Sequence, residues 1–216
     1  MDLYIIRHGD PDYDNDTLTE YGWKQAEALG KRLLKEGIDY IYSSPLGRAK
    51  DTAKPLADIL GKNILIQPWA QEIGPLYIPN PEFLSDECID KGFRWYEAER
   101  FKGMPYAQIE ERIHAGIDSI LGSHGYERKN DKYIPHIPSN IKIALFCHGN
   151  MSPILFAHLF NVPVNKIMAQ AVMYTTGITA FHFNNEEATL PVCTMFNERS
   201  HLKKHPDPNV DKIPQV

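Results

Sequence analysis

The chain has no Lys- or Arg-rich run, no apolar stretch of membrane-spanning length and only three cysteines among its 216 residues. Each absence removes a class of function. With 23 Lys plus Arg against 28 Asp plus Glu, the formal charge of −5 argues against nucleic acid or an anionic membrane surface as a partner. The longest apolar runs are strand-sized, well short of the roughly 20 residues of a membrane-spanning helix. Cys88, Cys147 and Cys193 are odd in number and lack metal-type spacing, so reduced thiols and a cytosolic setting are expected rather than a disulfide framework. No signal-peptide pattern opens the chain. HExxH, paired cysteines and clustered carboxylates are also missing, so neither a metal nor another cofactor is expected.

What is present is an alternation of strands and helices. "LYII" reads as a strand. A polar loop follows, then a helix capped by Thr19, with Ala26, Leu29, Leu33 and Leu34 at helical spacing and Gly37 as its stop. "IDYIYSS" is a second strand. "SPLGRAKDTAKPLADILG" is a helix with Ser44 as cap, Pro45 at its first position, Gly61 at its end and Pro55 kinking or splitting it. "NILIQ" is a third strand, "IKIALFCHGN" a central one, and Ser152–Pro153 start a helix ending near Asn161. "GITAFHF" and "ATLPVCTMF" supply the last two strands. The pattern predicts one α/β domain over residues 1–202: a three-layer sandwich with a mostly parallel sheet and helices on both faces. Residues 68–105, with four prolines between 68 and 81, form an inserted cover. Pro105 starts an amphipathic helix bearing Ile109, Ile113, Ile117 and Ile120, "SHGYERKNDKYIPHIPSN" reads as an exposed loop, and residues 203–216 as a tail.

Two strands far apart in sequence end in His-Gly: Arg7-His8-Gly9 and Cys147-His148-Gly149. In an open parallel sheet, ligands bind at the carboxyl ends of the strands, so both histidines should share one crevice. Gly9 and Gly149 let the backbone turn sharply there and approach a ligand. Arg48, in the first turn after the second strand, falls at the same end. Two arginines and two imidazoles around exposed helix N-termini suit a doubly negative, oxygen-rich group such as phosphoryl. A neutral imidazole can accept that group covalently, and His8, flanked by Arg7 and the Gly9 turn, is the candidate nucleophile. Arg7, Arg48 and His148 would meet charge on the equatorial oxygens, the task of magnesium elsewhere.

With these motifs in order, the chain resembles the histidine phosphatase superfamily, also called phosphoglycerate-mutase-like, over nearly its whole length. The resemblance rests on "LYIIRHGDP", "LTEYGWKQAEALG", "IYSSPLGRAKDTA", "FCHGNMSPIL", "GITAFHF" and "FNERSHL". It implies an α/β sandwich, a phosphohistidine intermediate on His8, and Arg7, Arg48 and His148 holding the phosphoryl oxygens. It also implies a carboxylate proton donor after the third strand, matched by Glu72 in "PWAQEIGP", with Glu82 and Asp10 as weaker candidates. Burial under the proline-rich cover would raise such a carboxyl's pKa, and nearby cations would oppose this. The family often has Ser or Thr three residues after the histidine and a phosphate-binding Asn six after it. Here Pro11 and Asp14 stand there, so either Asp14 turns away and Asn15 substitutes, or the pocket is rearranged.

No basic residue lies between Glu72 and Lys91, where the family's mutases usually carry a basic cluster. Hydrolysis of a small organic phosphate monoester is therefore the expected activity, with a mutase-type phosphotransferase or a non-catalytic phospho-ligand-binding module as alternatives. "CIDKGFR", Cys88 to Arg94, also fits the C-x5-R spacing of cysteine-dependent phosphatases, but Asp90 lies inside it and "SDE" precedes it. Arg94, Arg100 and Lys102 are candidates for a second anionic contact. Trp69, Tyr77, Phe93, Trp95 and Tyr96 form either an apolar wall for the substrate or a small core beneath the cover.

Overall fold

The computed structural model describes residues 1–74 and 81–203. In chain order these form β1 (Asp2–Arg7), β2 (Pro11–Asp12), β3 (Thr17–Leu18), α1 (Glu20–Leu34), β4 (Tyr40–Ser43), α2 (Gly47–Leu60) and β5 (Ile64–Ile66). The cover follows, with α3 (Asp86–Lys91) among short 3-10 turns, then α4 (Tyr106–Ser123), β6 (Tyr126–Lys129), β7 (Lys132–Pro135) and β8 (Lys142–Cys147). The last elements are α5 (Ser152–Phe160), α6 (Val164–Gln170), β9 (Ile178–His182) and β10 (Val192–Glu198).

The main sheet has six strands in the order β10-β9-β1-β8-β4-β5. β1, β8, β4 and β5 run parallel, and β9 pairs antiparallel with both β1 and β10. Period-2 alternation divides the side chains between two cores. Tyr4, Ile6, Ala144 and Phe146 pack with Leu29, Leu33, Ala53 and Leu56 of α1 and α2. Leu3, Ile5, Ile143 and Leu145 face Ile113, Ile117, Ile154 and Leu155 of α4 and α5. Helices on both faces of a mostly parallel sheet are the predicted three-layer arrangement. Burying each of these Leu, Ile and Phe side chains stabilises the fold by about 1.5–3 kcal/mol.

Element ends follow local chemistry. The Thr19 hydroxyl accepts the Gly22 N–H at 3.0 Å and caps α1. Gly61, at φ +62°, ends α2. Pro55 does not split α2, which continues through it where it packs tightly on α1: a Cβ on Gly30 would lie 3.1 Å from the Leu56 nitrogen. Contrary to expectation, Ser44 does not cap this helix, which starts at Gly47 with Leu46 as a cap that offers no side-chain bond.

The expected loop after α4 is instead the β6–β7 hairpin, with Tyr126 and Tyr133 buried. Asn130 and Asp131 both take left-handed φ values, as a two-residue turn between twisted strands requires. In the cover, Phe83, Trp95, Phe101 and Tyr106 pack ring against ring, with centroids about 5–6 Å apart. Tyr77 and residues 204–216 lie outside the described residues.

Candidate active site

Strand register brings the two His-Gly corners together. Parallel pairing sets Arg7 opposite Cys147, so His8 and His148 leave adjacent strands side by side, with ring centroids 5.2 Å apart. On the other flank of β8, Ser43 pairs with Phe146, which places Ser44 beside His148. The Thr176 N–H bonds the carbonyls of Arg7 and His8, and the Gly9 N–H donates to Thr52 Oγ1 at 2.9 Å. A Cβ on Gly9 would come within 3.0 Å of the Gly22 carbonyl.

His8 is buried and oriented. Its Nδ1 is 2.7 Å from the Gly9 carbonyl oxygen, which can only accept, so Nδ1 carries the proton and Nε2 keeps its lone pair. Arg48 Nε points at that lone pair from 3.4 Å. Burial, then the charge of Arg7 and the neighbouring His148, hold the imidazole's pKa well below its ordinary value. His8 is therefore neutral across the physiological range, the state a nucleophile needs.

His148 is fully buried, with Nε2 2.7 Å from Ser44 Oγ. That hydroxyl also accepts the Leu46 N–H at 3.3 Å and can give its own proton to the ring nitrogen. With Ser44 as donor, His148 Nδ1 carries the hydrogen, and it has no partner among the described residues. Burial, with Arg48 and Arg7 nearby, pushes this pKa down to about 3. Arg7 Nη1 donates to the Met173 carbonyl, and its Nε is likewise buried without a partner among the described residues. Two such donors in one crevice suit an acceptor-rich ligand, because a buried polar group generally needs a hydrogen-bond partner. Gly149 provides clearance here: a Cβ would lie 3.1 Å from Arg7 Nε and 3.2 Å from its Cζ.

Glu72 also reaches this end of the sheet. Its carboxylate accepts the N–H groups of Ile73 (3.0 Å) and Met151 (3.1 Å) on Oε1 and that of Asn150 (3.3 Å) on Oε2. Burial raises its pKa, outweighing those bonds and the attraction of Arg7 and Arg48. Asn150 Nδ2 donates to the Gly74 carbonyl at 2.7 Å, tying the start of the cover to the same turn.

The helix N-termini do not stand open as expected. N–H groups entering α5 are taken by Glu72, and the first N–H of α2, that of Gly47, is taken by Asp16 Oδ2 at 2.6 Å. A phosphoryl group in this crevice would thus be met by side chains rather than by free helix ends. Sequence reasoning missed Asp16. Its other oxygen accepts Arg48 Nη1 at 2.7 Å. Tyr13 lies at the mouth, its ring 5.4 Å from Arg48 Cζ and its hydroxyl beside Arg7.

Other expectations separate from the cluster. Asn15 is exposed, and its amide donates to Asp12 Oδ2 at 2.8 Å, because the Asp12 carboxylate gathers the turn around itself; it does not join His8. Asp14 is exposed and its backbone bonds Asp12. Asp10 accepts the Thr19 hydroxyl at 2.7 Å, and Glu82 pairs with Arg100 at 2.6 Å, so neither is placed as Glu72 is. Cys88 is buried within α3 while Arg94 is largely exposed and pairs with Glu97, which removes the cysteine-phosphatase reading. Lys102 pairs with Glu99. The aromatic wall becomes core instead: Trp95 is fully buried against Tyr96 and Tyr106, and Trp69 packs over Gly116. Phe93 faces a different cavity, lined also by Glu110 and His114.

Comparisons with known proteins bear on the fold and the family. "Probable phosphoglycerate mutase GpmB" of Yersinia pestis (strain Pestoides F) is 26% identical over 182 residues, 76% of this chain and 77% of that protein. Among solved structures, a histidine-to-alanine mutant of phosphoserine phosphatase from Entamoeba histolytica, in complex with phosphoserine, superposes with TM-score 0.66 at 24% identity, covering 93% of this chain and 98% of that one. Bacillus stearothermophilus YhfR gives TM-score 0.67 at 20% identity, covering 94% and 99%. The α-ribazole phosphatase of Shigella flexneri gives 0.62 at 19%, covering 92% and 97%. These structures share the fold, and the model of the histidine phosphatase superfamily (branch 1) matches residues 3–194, so the chain belongs to that superfamily.

Proposed function

We propose that the protein hydrolyses a small organic phosphate monoester through a phosphohistidine on His8, without a metal ion. The observation that carries this reading is the unprotonated Nε2 of a neutral His8, set between His148 and Arg48, with its Nδ1 tied to the Gly9 carbonyl. Nε2 attacks phosphorus, the P–N bond forms, and the P–O bond to the leaving group breaks. Glu72 gives its proton to the departing oxygen. Its Oε2 is suited to hold that proton, since among the described residues it accepts one long backbone bond. Water then attacks the phosphohistidine, Glu72 takes a proton from it, and phosphate leaves as the P–N bond breaks. Arg7, Arg48 and the His148 Nδ1–H stabilise the equatorial oxygens, and Gly149 keeps the space that Arg7 occupies.

The name of the Yersinia relative supports a second reading, a mutase that returns the phosphoryl group to a second position on the substrate. Phosphoserine, an alkyl phosphate bound by a neighbour of the same fold, represents the class of substrate proposed. Phosphate release from a panel of phosphorylated metabolites in EDTA-containing buffer, comparing wild type with His8→Ala, tests the proposal. Release that survives EDTA and disappears in the variant is expected. Isomerisation of a phosphoglycerate without net phosphate release would favour the mutase.

A further inference from the structure

Arg48 is a buried cation in the first turn of α2, where the helix dipole disfavours positive charge. Such a group keeps one geometry only if something compensates it. Asp16 is the compensating residue and holds two things at once. One carboxylate oxygen accepts Arg48 Nη1 at 2.7 Å and the other accepts the Gly47 N–H at 2.6 Å. The helix has no side-chain cap of its own, so Asp16, from a loop some 30 residues earlier in the chain, caps it.

The backbone is built around this contact. Asp16 sits in the left-handed region at φ +48°, and a Cβ on Gly47 would lie 1.9 Å from the Asp16 carbonyl oxygen. Only glycine at 47 lets the loop approach so closely. The next residue, Thr17, donates its hydroxyl to Asp51 one turn further along α2. Two neighbouring residues thus dock on one helix. Of these two, only Asp16 touches the guanidinium that points at His8 Nε2.

We propose that Asp16 is the positioning residue of Arg48: it fixes the guanidinium on the side away from the phosphoryl group and leaves its Nε edge aimed at the reacting nitrogen. The assignment rests on the phosphatase reading of the site. It also explains why the carboxylate at 14, six residues after His8, is harmless and the one at 16 is useful: Asp14 is exposed, whereas Asp16 has both oxygens committed.

The test is binding of inorganic phosphate, read by calorimetry, to wild type, D16A, D16N, T17A, R48A and D16A/R48A, with melting temperature measured on each. A merely structural loop contact would affect D16A and T17A alike. Positioning predicts that D16A weakens phosphate binding about 10- to 100-fold, the loss expected for a hydrogen bond to a charged group. T17A should leave binding unchanged while lowering the melting temperature. D16N, which keeps an oxygen for Arg48, should lose less than D16A and carries the test if D16A does not fold. The double variant should bind no more weakly than R48A alone. Wild-type affinity in D16A or D16N, or losses that add in the double variant, would overturn the assignment. A wild-type protein that neither binds phosphate nor hydrolyses monoesters would instead contradict the reading of the site itself, and the assignment with it.

Discussion

Glu72→Gln separates proton donation from structure with little disturbance. A glutamine oxygen in place of Oε1 retains the Ile73 and Met151 bonds, and only the 3.3 Å contact from the Asn150 N–H meets an NH2 group. What disappears is the proton. Protonating a leaving group is worth about 10²- to 10⁴-fold, so kcat/KM for an alkyl phosphate should fall by about that factor. An aryl phosphate such as p-nitrophenyl phosphate expels a stable phenolate unaided, and its kcat/KM should stay near the wild-type value. In the proposed second step the same carboxylate activates water, so E72Q should accumulate phosphohistidine and release nitrophenol in a burst followed by a slow phase. The pH dependence has a definite sign. Glu72 must be protonated to act as the acid and its pKa is raised, so wild-type kcat/KM for alkyl phosphates should decline as pH climbs through that raised value. E72Q should lack this limb. Equal losses on both substrates, or no loss on the alkyl phosphate, would refute the assignment.

Gly149→Ala puts a methyl 3.1 Å from Arg7 Nε and should lower kcat/KM by about 10²-fold through a displaced guanidinium, with the melting temperature nearly unchanged. Glu110, buried beside the Trp95 indole, has its pKa raised to about 7 by burial, so its contribution to stability is complete below its ordinary 4.5 and fades as pH rises through 7. E110Q should therefore match wild type near pH 4 in urea unfolding and exceed it by up to about 3 kcal/mol at pH 8. On the acid side His114 and His148, depressed to about 3, and His201, to about 4, stay neutral when folded but bind protons below 6.5 when unfolded. Their contribution is present above 6.5 and is lost as pH falls towards 3–4, at about 1.4 kcal/mol per pH unit for each residue. Chemical denaturation from pH 7 to 5 measures that slope.

Much of this site was legible because the residues that carry it sit where strands end. The runs before His8 and His148 are apolar enough to read as buried parallel strands, and the glycines after them mark turns, so the convergence followed from topology. Glu72 came from resemblance, since nothing local distinguishes it from a loop carboxylate. Three features stayed hidden because their partners are distant in sequence. Asp16 has meaning only beside Arg48, and the helix ends read as free because the carboxylates covering them come from elsewhere. Asn15 had the right side chain but a nearer partner in Asp12. The β6–β7 hairpin is masked by its charged surface. Only Tyr126 and Tyr133 fill the core there, and Asn130-Asp131 was the one turn signal available. Aromatic composition in the cover could not distinguish a substrate wall from a core, and ring-on-ring packing at Trp95 decides for the core.

The central claim is a covalent bond between phosphorus and His8 Nε2. The direct measurement is intact and peptide mass analysis of wild-type protein and His8→Ala, quenched at neutral to alkaline pH within the first turnovers on p-nitrophenyl phosphate. The account predicts one added phosphoryl group on the peptide containing His8 and none in the variant. An adduct on another residue, or turnover by wild type with no adduct alongside undiminished turnover by His8→Ala, would contradict it.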